Sequence, residues 1–507
     1  METLLDAFAD NAERHGDRPA LVWDTGSYTW SEYRDEVARA AFGLRERGVR
    51  AGARVALLMA NGPELAVADL ALLHVRAVPV CLFDSFTDEQ VAAVLRTNGI
   101  ELAIVDNDRL DGLVRTIGLE EWATVRAGGD LDALRREATP DDLVSVNYTS
   151  GTTGSLKGVR HTHRNVVWHA ESFARFWPVE PGTRFLSYLP RAHATERFVT
   201  TWYPLTRAGT VHLCPDPAAL GRYLLDVRPE FFGGVLRVWE KLYAAAVSAG
   251  LTSAAPLGLD ACRFAFSGGG ALAEPVQEYF HSIGVPLVEG WGQSELVSAA
   301  SCGHPDRIRV GTAGQALPGV ELRAAPDGEL LVRSGSRMPG YVDAAAAVDD
   351  DGWLHTGDLG ALDADGYVTV AGRREEVFHL ADGTAIPATR VESQLRANLL
   401  VEHACVVGEE ELCALIVSPS SVDELAPVLR SANDRLPARH RIARFAVLNE
   451  RWEPGRAEEL THTGKLKRPL ILAKHAELIA GLRHGWPQGA PLDWPSQGDR
   501  GSAGTPL

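Results

Sequence analysis

Between Ser31 and Arg47, the apolar residues Tyr33, Val37, Ala40, Ala41 and Leu44 recur at the three- and four-residue spacing of one helical face. Gly48 follows where a C′ glycine would end that helix. Arg54–Met59 then reads as a buried strand, Glu64–His74 as a helix and Ala77–Phe83 as a strand. Glu101–Asp106 and Leu143–Tyr148 are further short apolar strands. The alternation predicts an α/β fold, with a large N-terminal domain of stacked α/β sheets over residues 1–372. Asp363–Gly366 reads as a turn and Ala371–Arg374 as a short link. A second, small α/β domain is expected over residues 373–485. Residues 486–507 are rich in Gly, Pro, Ser and Gln and read as a flexible tail. No repeat of 20–50 residues is visible, which excludes a solenoid.

A chain of 507 residues is too long for one ordinary core, which agrees with two domains. The apolar stretch Ala66–Phe83 contains Asp69, His74 and Arg76, so it reads as core helix plus strand and not as a membrane span. The formal net charge of −17 argues against a nucleic-acid partner, which needs a basic footprint. It still permits small anionic ligands held locally by backbone N–H groups and a few lysines. The six cysteines form no CxxC pair, and no secretory leader pattern opens the chain. Reduced, buried cysteines and a cytoplasmic location are expected. Oligomeric state is not legible.

The densest chemical signal follows the Leu143–Tyr148 strand: Thr149-Ser150-Gly151-Thr152-Thr153-Gly154-Ser155-Leu156-Lys157-Gly158. Glycines let several N–H groups converge on one anion, hydroxyls add donors, and Lys157 adds charge. A Walker-type loop requires Gly-Lys-Ser/Thr at its end, and Leu156-Lys157-Gly158 does not supply it.

This loop resembles that of the AMP-forming adenylating superfamily, which includes acyl-CoA synthetases, carrier-protein-loading adenylation domains and luciferases. Leu156 stands where that family usually has proline. Further motifs follow in the family's order over Tyr148–Lys465. Leu189–Arg197 is similar to the segment flanking the acyl pocket in long-chain acyl-CoA ligases, and the resemblance puts His193 near the reacting carboxylate. Gly268-Gly269-Gly270-Ala271 corresponds to the adenine-side glycines. In Gly290-Trp291-Gly292-Gln293-Ser294-Glu295, the resemblance implies that Trp291 would take the aromatic position beside adenine with Gly292 next to it, that Ser294 would be a phosphate donor and that Glu295 would bind Mg²⁺. Asp358, in Trp353-Leu354-His355-Thr356-Gly357-Asp358, corresponds to the ribose carboxylate, and Arg373 to the arginine reaching ribose and phosphate. Glu375 occupies the hinge position, usually Asp or Lys. Lys465, in Thr461-His462-Thr463-Gly464-Lys465, corresponds to the catalytic lysine. Gly383 corresponds to the glycine lining the pantetheine channel, although it also reads as an ordinary turn glycine in Ala381-Asp382-Gly383-Thr384.

The resemblance implies ATP, Mg²⁺ and CoA, or a carrier-protein phosphopantetheine, as cofactors. It also implies a small C-terminal domain that is mobile. A carboxylic acid would be joined to AMP and then passed to a thiol, most simply as a fatty acid or related carboxylate–CoA ligase. The catalytic set would be Lys465, His193, Glu295 and Arg373. Thr149, Ser150, Gly151, Thr152, Thr153, Gly154 and Lys157 would hold phosphates. An amino-acid substrate is disfavoured, because Phe198-Val199-Thr200-Thr201-Trp202 carries no aspartate for an ammonium group. Loading of an acyl carrier protein, transfer to a non-thiol acceptor such as nitrogen, and a non-catalytic nucleotide-binding module remain open alternatives.

Overall fold

The computed structural model describes residues 2–150, 156–453, 459–460 and 466–483. The expected mixed α/β architecture is present. A nine-stranded sheet runs in the order 315–316, 299–302, 287–292, 264–268, 231–235, 184–187, 210–213, 19–23 and 26–29. Its six central strands, from Leu287–Gly292 to Pro19–Trp23, are parallel, and antiparallel pairs close both ends. A parallel four-stranded sheet packs Val78–Cys81, Arg54–Leu58, Leu102–Val105 and Arg115–Ile117 side by side. An antiparallel four-stranded sheet joins Glu321–Ala324, Glu329–Arg333, Leu354–Leu362 and Val368–Arg373.

The helix over Trp30–Glu46 starts from a capping box, in which Thr29 accepts from the Glu32 N–H and the Glu32 side chain accepts from the Thr29 N–H. It buries the face formed by Tyr33, Val37, Ala40, Ala41 and Leu44. The helix Pro63–His74 is buried nearly all round, which explains its almost unbroken apolar sequence. All six cysteines are buried and free, as expected. Among the described residues, no helix is long and apolar enough to cross a membrane.

Two strands run further than their sequences suggest. Val285–Glu289 reads as a strand in the sequence, and the strand Leu287–Gly292 continues beyond it through Trp291, where its pairing with Ala299–Cys302 is bulged. Val368–Arg373 absorbs most of the expected Ala371–Arg374 link, because Gly372 pairs with Leu359 and Arg373 with Asp358. Glycines weaken a strand reading, but cross-strand pairing outweighs that local preference here.

Beyond Arg373, a hairpin of Val377–His379 and Ala385–Pro387 leads to the helix Ala388–Arg396. A three-stranded sheet of His403–Gly408, Leu412–Val417 and Ile442–Leu448 follows. It has apolar clusters on both faces, one around Leu395, Ile416 and Phe445 and one around Leu415, Trp452 and Ile471. The helix contacts the preceding region through charge: Arg396 Nε lies 3.1 Å from Glu240 Oε1, and Arg390 Nη2 donates to Gly311 O at 2.9 Å.

Candidate active site

The Thr/Ser/Gly loop connects the two strands of an antiparallel hairpin, Leu143–Ser150 and Leu156–Thr162. Across it Tyr148 faces Gly158, Thr149 faces Lys157 and Ser150 faces Leu156. Leucine at 156 retains the backbone N–H that proline would lack. Gly151, Thr152, Thr153 and Gly154 lie outside the described residues.

The segment 338–342 runs alongside this hairpin. Val342 N–H donates to Gly158 O at 2.8 Å, and Tyr341 bridges to Val159. Lys157 Nζ lies 5.5 Å from the Tyr341 ring centroid, within cation–π range. The Tyr341 hydroxyl donates to Glu295 Oε1 at 2.7 Å, and Met338 N–H donates to Glu295 O at 2.8 Å. Glu295 is thereby held beside the phosphate hairpin from a short turn over Ser294–Leu296. Among the described residues no group of three or more His, Cys, Asp or Glu side chains forms a metal cage. One carboxylate suits Mg²⁺, which takes its remaining oxygens from substrate phosphates and water.

The residues that the resemblance sets on the nucleoside side come together through Trp291, Asp358 and Arg373. Phe264–Gly268 ends at Gly269, whose φ of +84° is in the region glycine adopts without strain. At Gly270 a Cβ would lie 3.2 Å from Leu236 Cδ2. At Gly292 a Cβ would lie 2.0 Å from Ser298 O, so glycine is obligatory where the strand bulges. Trp291 Nε1–H donates to Asp358 Oδ2 at 2.9 Å. Arg373 Nη1 donates to Thr356 O at 2.7 Å and lies 3.4 Å from Asp358 Oδ1. Burial works against the Arg373 charge, but Asp358, Glu375 and Glu295 together hold its pKa above the ordinary value. Arg373 therefore stands in the field of the Glu295, Asp358 and Glu375 carboxylates at once. Glu329 braces the strand Leu354–Leu362 beside Asp358: its carboxylate accepts from Gly357 N–H at 2.8 Å, and it lies 3.0 Å from His355 Nδ1 and 3.1 Å from Arg374 Nη2.

His193 precedes the short helix Ala194–Arg197. A buried polar chain ties this segment to the phosphate strand. Asn147 Nδ2 donates to Ala192 O at 3.0 Å, and Ser145 Oγ donates to Asn147 Oδ1 at 2.6 Å. Arg197 Nη1 donates to Ser145 Oγ at 2.9 Å, while its Nη2 pairs with Asp69. Arg197 is 0% and Asp69 1% exposed, so neither charge is compensated by bulk water.

Next in the chain, Glu196 Oε1 accepts from Thr200 Oγ1 at 3.1 Å and from Ser187 Oγ at 3.2 Å. Burial pushes its carboxyl up to about 7, against those hydrogen bonds and the Arg191 charge. The folded protein therefore holds this proton more tightly than the unfolded chain does, and the group's contribution to stability falls as pH rises from 4.5 to about 7. Glu196→Gln, which stays neutral, is expected to exceed the wild type in stability by about 3 kcal/mol above that range and to match it below. Thermal melts across the range check this; a difference independent of pH would refute it.

One expected residue is not brought to this cluster, and another lies outside the described residues. Gly383 sits in the Val377–Pro387 hairpin turn, where its N–H donates to Leu380 O at 2.8 Å. Its φ of +86° favours glycine whether or not a channel passes there. Lys465 lies outside the described residues. On either side of it, Leu460 and Leu466 form a bridge, and Arg468 Nη2 lies 2.7 Å from the buried Glu392 Oε1.

The structure adds Tyr341, Glu329 and the Asp69–Arg197–Ser145–Asn147 chain to the residues the sequence singled out. Tyr341, Glu329 and Asp69 lie outside the sequence motifs, while Ser145, Asn147 and Arg197 lie within segments the sequence singled out, where no local pattern predicts their contacts.

Residues 8–342 match the family model described as AMP-binding enzyme. A putative fatty-acid–CoA ligase, fadD11, of Mycobacterium tuberculosis is 32% identical over 449 residues, covering 72% of this chain and 78% of the relative. The long-chain-fatty-acid–CoA ligase FadD15 of Mycobacterium bovis is 28% identical, covering 91% and 92%. Among solved structures, the anthranilate CoA ligase AuaEII in complex with anthranoyl-AMP superposes with a TM-score of 0.80 at 20% identity, covering 95% of this chain and 98% of that one. The o-succinylbenzoate CoA synthetase of Bacillus subtilis in complex with its acyl-adenylate gives 0.76 at 24% identity, covering 92% and 97%. At these identities the structural likeness speaks for the fold alone, whereas the sequence matches decide the family. The chain belongs to the AMP-binding enzyme family and is an AMP-forming, acyl-CoA synthetase-like enzyme.

Proposed function

We propose that the protein activates a fatty acid or related carboxylate with ATP as an acyl-adenylate and transfers the acyl group to the thiol of CoA. The observation that carries this reading is the convergence of Lys157, Tyr341 and Glu295 at the phosphate hairpin with Trp291, Asp358 and Arg373 on the nucleoside side. The names of the relatives support the acid and acceptor classes.

A carboxylate and ATP repel each other, so the chain must hold them in line and place positive charge where the α-phosphate becomes five-coordinate. Lys157 and the loop residues Thr149–Gly154 hold the outer phosphates. Glu295 would supply the protein oxygen for Mg²⁺, whose charge would neutralise that of the phosphates. Asp358 accepts from the ribose hydroxyls, and Arg373 reaches the ribose and phosphate. Lys465 bridges the carboxylate and the α-phosphate, with His193 beside the acid. Residues 373–485 act as a small domain that turns about Glu375 between adenylation and thioester formation, bringing Gly383 to the pantetheine.

The test is pyrophosphate release over acids of graded chain length, with and without CoA. Release that depends on an acid, with acyl-CoA as the product, is expected. Product formed only on a carrier protein or an amine in a competition assay would overturn the acceptor, and nucleotide binding without release for any acid would overturn the reaction.

A further inference from the structure

Trp291 stands where the resemblance expects an aromatic face beside adenine, but its strongest observed contact is made by its edge. The indole Nε1–H donates to Asp358 Oδ2 at 2.9 Å, and the residue is 7% exposed. An indole N–H lies in the ring plane, so this bond leaves the ring face available for stacking. It is also a donor that cannot accept, so it can satisfy only an acceptor lone pair of Asp358.

The other contacts around Asp358 fix the same geometry. Asp358 N–H donates to Thr356 Oγ1 at 3.0 Å, and Thr356 Oγ1 donates to Leu330 O at 2.6 Å. Gln293 follows Gly292, the last residue of the strand, and its Nε2 lies 3.4 Å from Thr356 O. Trp291 and Gln293 thus engage the 356–358 segment of the strand Leu354–Leu362 together. A carboxylate offers about four lone-pair positions. Trp291 uses one on Oδ2 and Arg373 one on Oδ1, which leaves one on each oxygen for a vicinal diol.

We propose that Trp291 is a positioning residue for ribose recognition: its indole N–H orients Asp358 so that both carboxylate oxygens meet the 2′- and 3′-hydroxyls of the nucleotide. The proposal rests on the reading of Asp358 as the ribose carboxylate. The site therefore selects ribonucleotides over 2′-deoxyribonucleotides through a residue that also presents an aromatic face to the base. Replacing the indole by a ring without an N–H keeps the face and releases the carboxylate.

The test measures binding of AMP and 2′-deoxy-AMP by calorimetry, which involves neither turnover nor metal. Trp291→Phe is expected to weaken AMP by about tenfold while changing 2′-deoxy-AMP much less, so that the preference for AMP collapses by nearly the same factor. A merely structural defect would weaken both nucleotides equally, and that result, or an unchanged preference, would overturn the proposal. Asp358→Ala separates the two levels. If it too leaves the preference intact, the ribose reading of Asp358 falls; if it abolishes the preference while Trp291→Phe does not, only the role of Trp291 falls. Should the phenylalanine variant not fold, the wild-type protein labelled with ¹⁵N at its tryptophan indoles decides the matter. The one indole N–H signal that moves in Asp358→Ala must shift with AMP and shift less with 2′-deoxy-AMP; a signal indifferent to both nucleotides would refute the proposal.

Discussion

Replacing Lys465 by alanine is expected to lower carboxylate-dependent ATP–pyrophosphate exchange by roughly 10²–10³-fold, the effect of removing one preorganised donor from a developing oxyanion. The same variant, supplied with preformed acyl-AMP and CoA, is expected to form thioester within about threefold of the wild-type rate, since the second step does not use that charge. The asymmetry is what a lysine on a rotating small domain requires. Arg468, three residues on, is clamped by Glu392, and Val406 N–H donates to the same Glu392 oxygen at 2.8 Å. The 466–483 segment is therefore tied to the three-stranded sheet through Arg468. Exchange unaffected by the substitution would remove Lys465 from the mechanism. Equal loss of both half-reactions in a folded variant would remove the rotation.

Arg197→Met is expected to cost about 3–5 kcal/mol of stability, because it leaves Asp69 buried without its counter-charge. Its melting temperature should fall on the order of 10 °C. The partner substitution decides the cause. Asp69→Leu combined with Arg197→Met removes both charges and should recover most of the stability, since a buried ion pair contributes little against apolar replacements. The double variant should still exchange pyrophosphate poorly, because Ser145 and Asn147, within the strand Leu143–Ser150 that leads into the loop, lose the arginine that anchors them. Calorimetric melts and exchange rates on the same samples separate the two effects. A single variant as stable as the wild type would contradict the burial argument.

Asp69 and Arg197 also mark the limit of sequence reading. Asp69 interrupts an apolar helix, and in the sequence it served only to argue against a membrane span. Its partner lies 128 positions away, and no local pattern predicts that pairing. Tyr341 reaches Glu295 across 46 positions, and Trp291 reaches Asp358 across 67. Each of these contacts exists only once the sheets are assembled. Short-range features behaved differently. The Trp30–Glu46 helix, the buried strands and the phosphate loop's place after a strand were legible, because periodicity and turn chemistry act over a few residues.

What the sequence by itself determined was the α/β class, the ordered set of nucleotide motifs and the residue types able to hold phosphate, magnesium and ribose. Local spacing and side-chain chemistry suffice for those. Only the tertiary structure decided that Gly372 and Arg373 belong to a strand, that Tyr341 joins Lys157 to Glu295, and that the Trp291 edge is engaged by Asp358. Strand pairing and burial bring these groups within hydrogen-bonding range, and the desolvation that follows makes each unpaired donor or charge costly enough for its partner to matter.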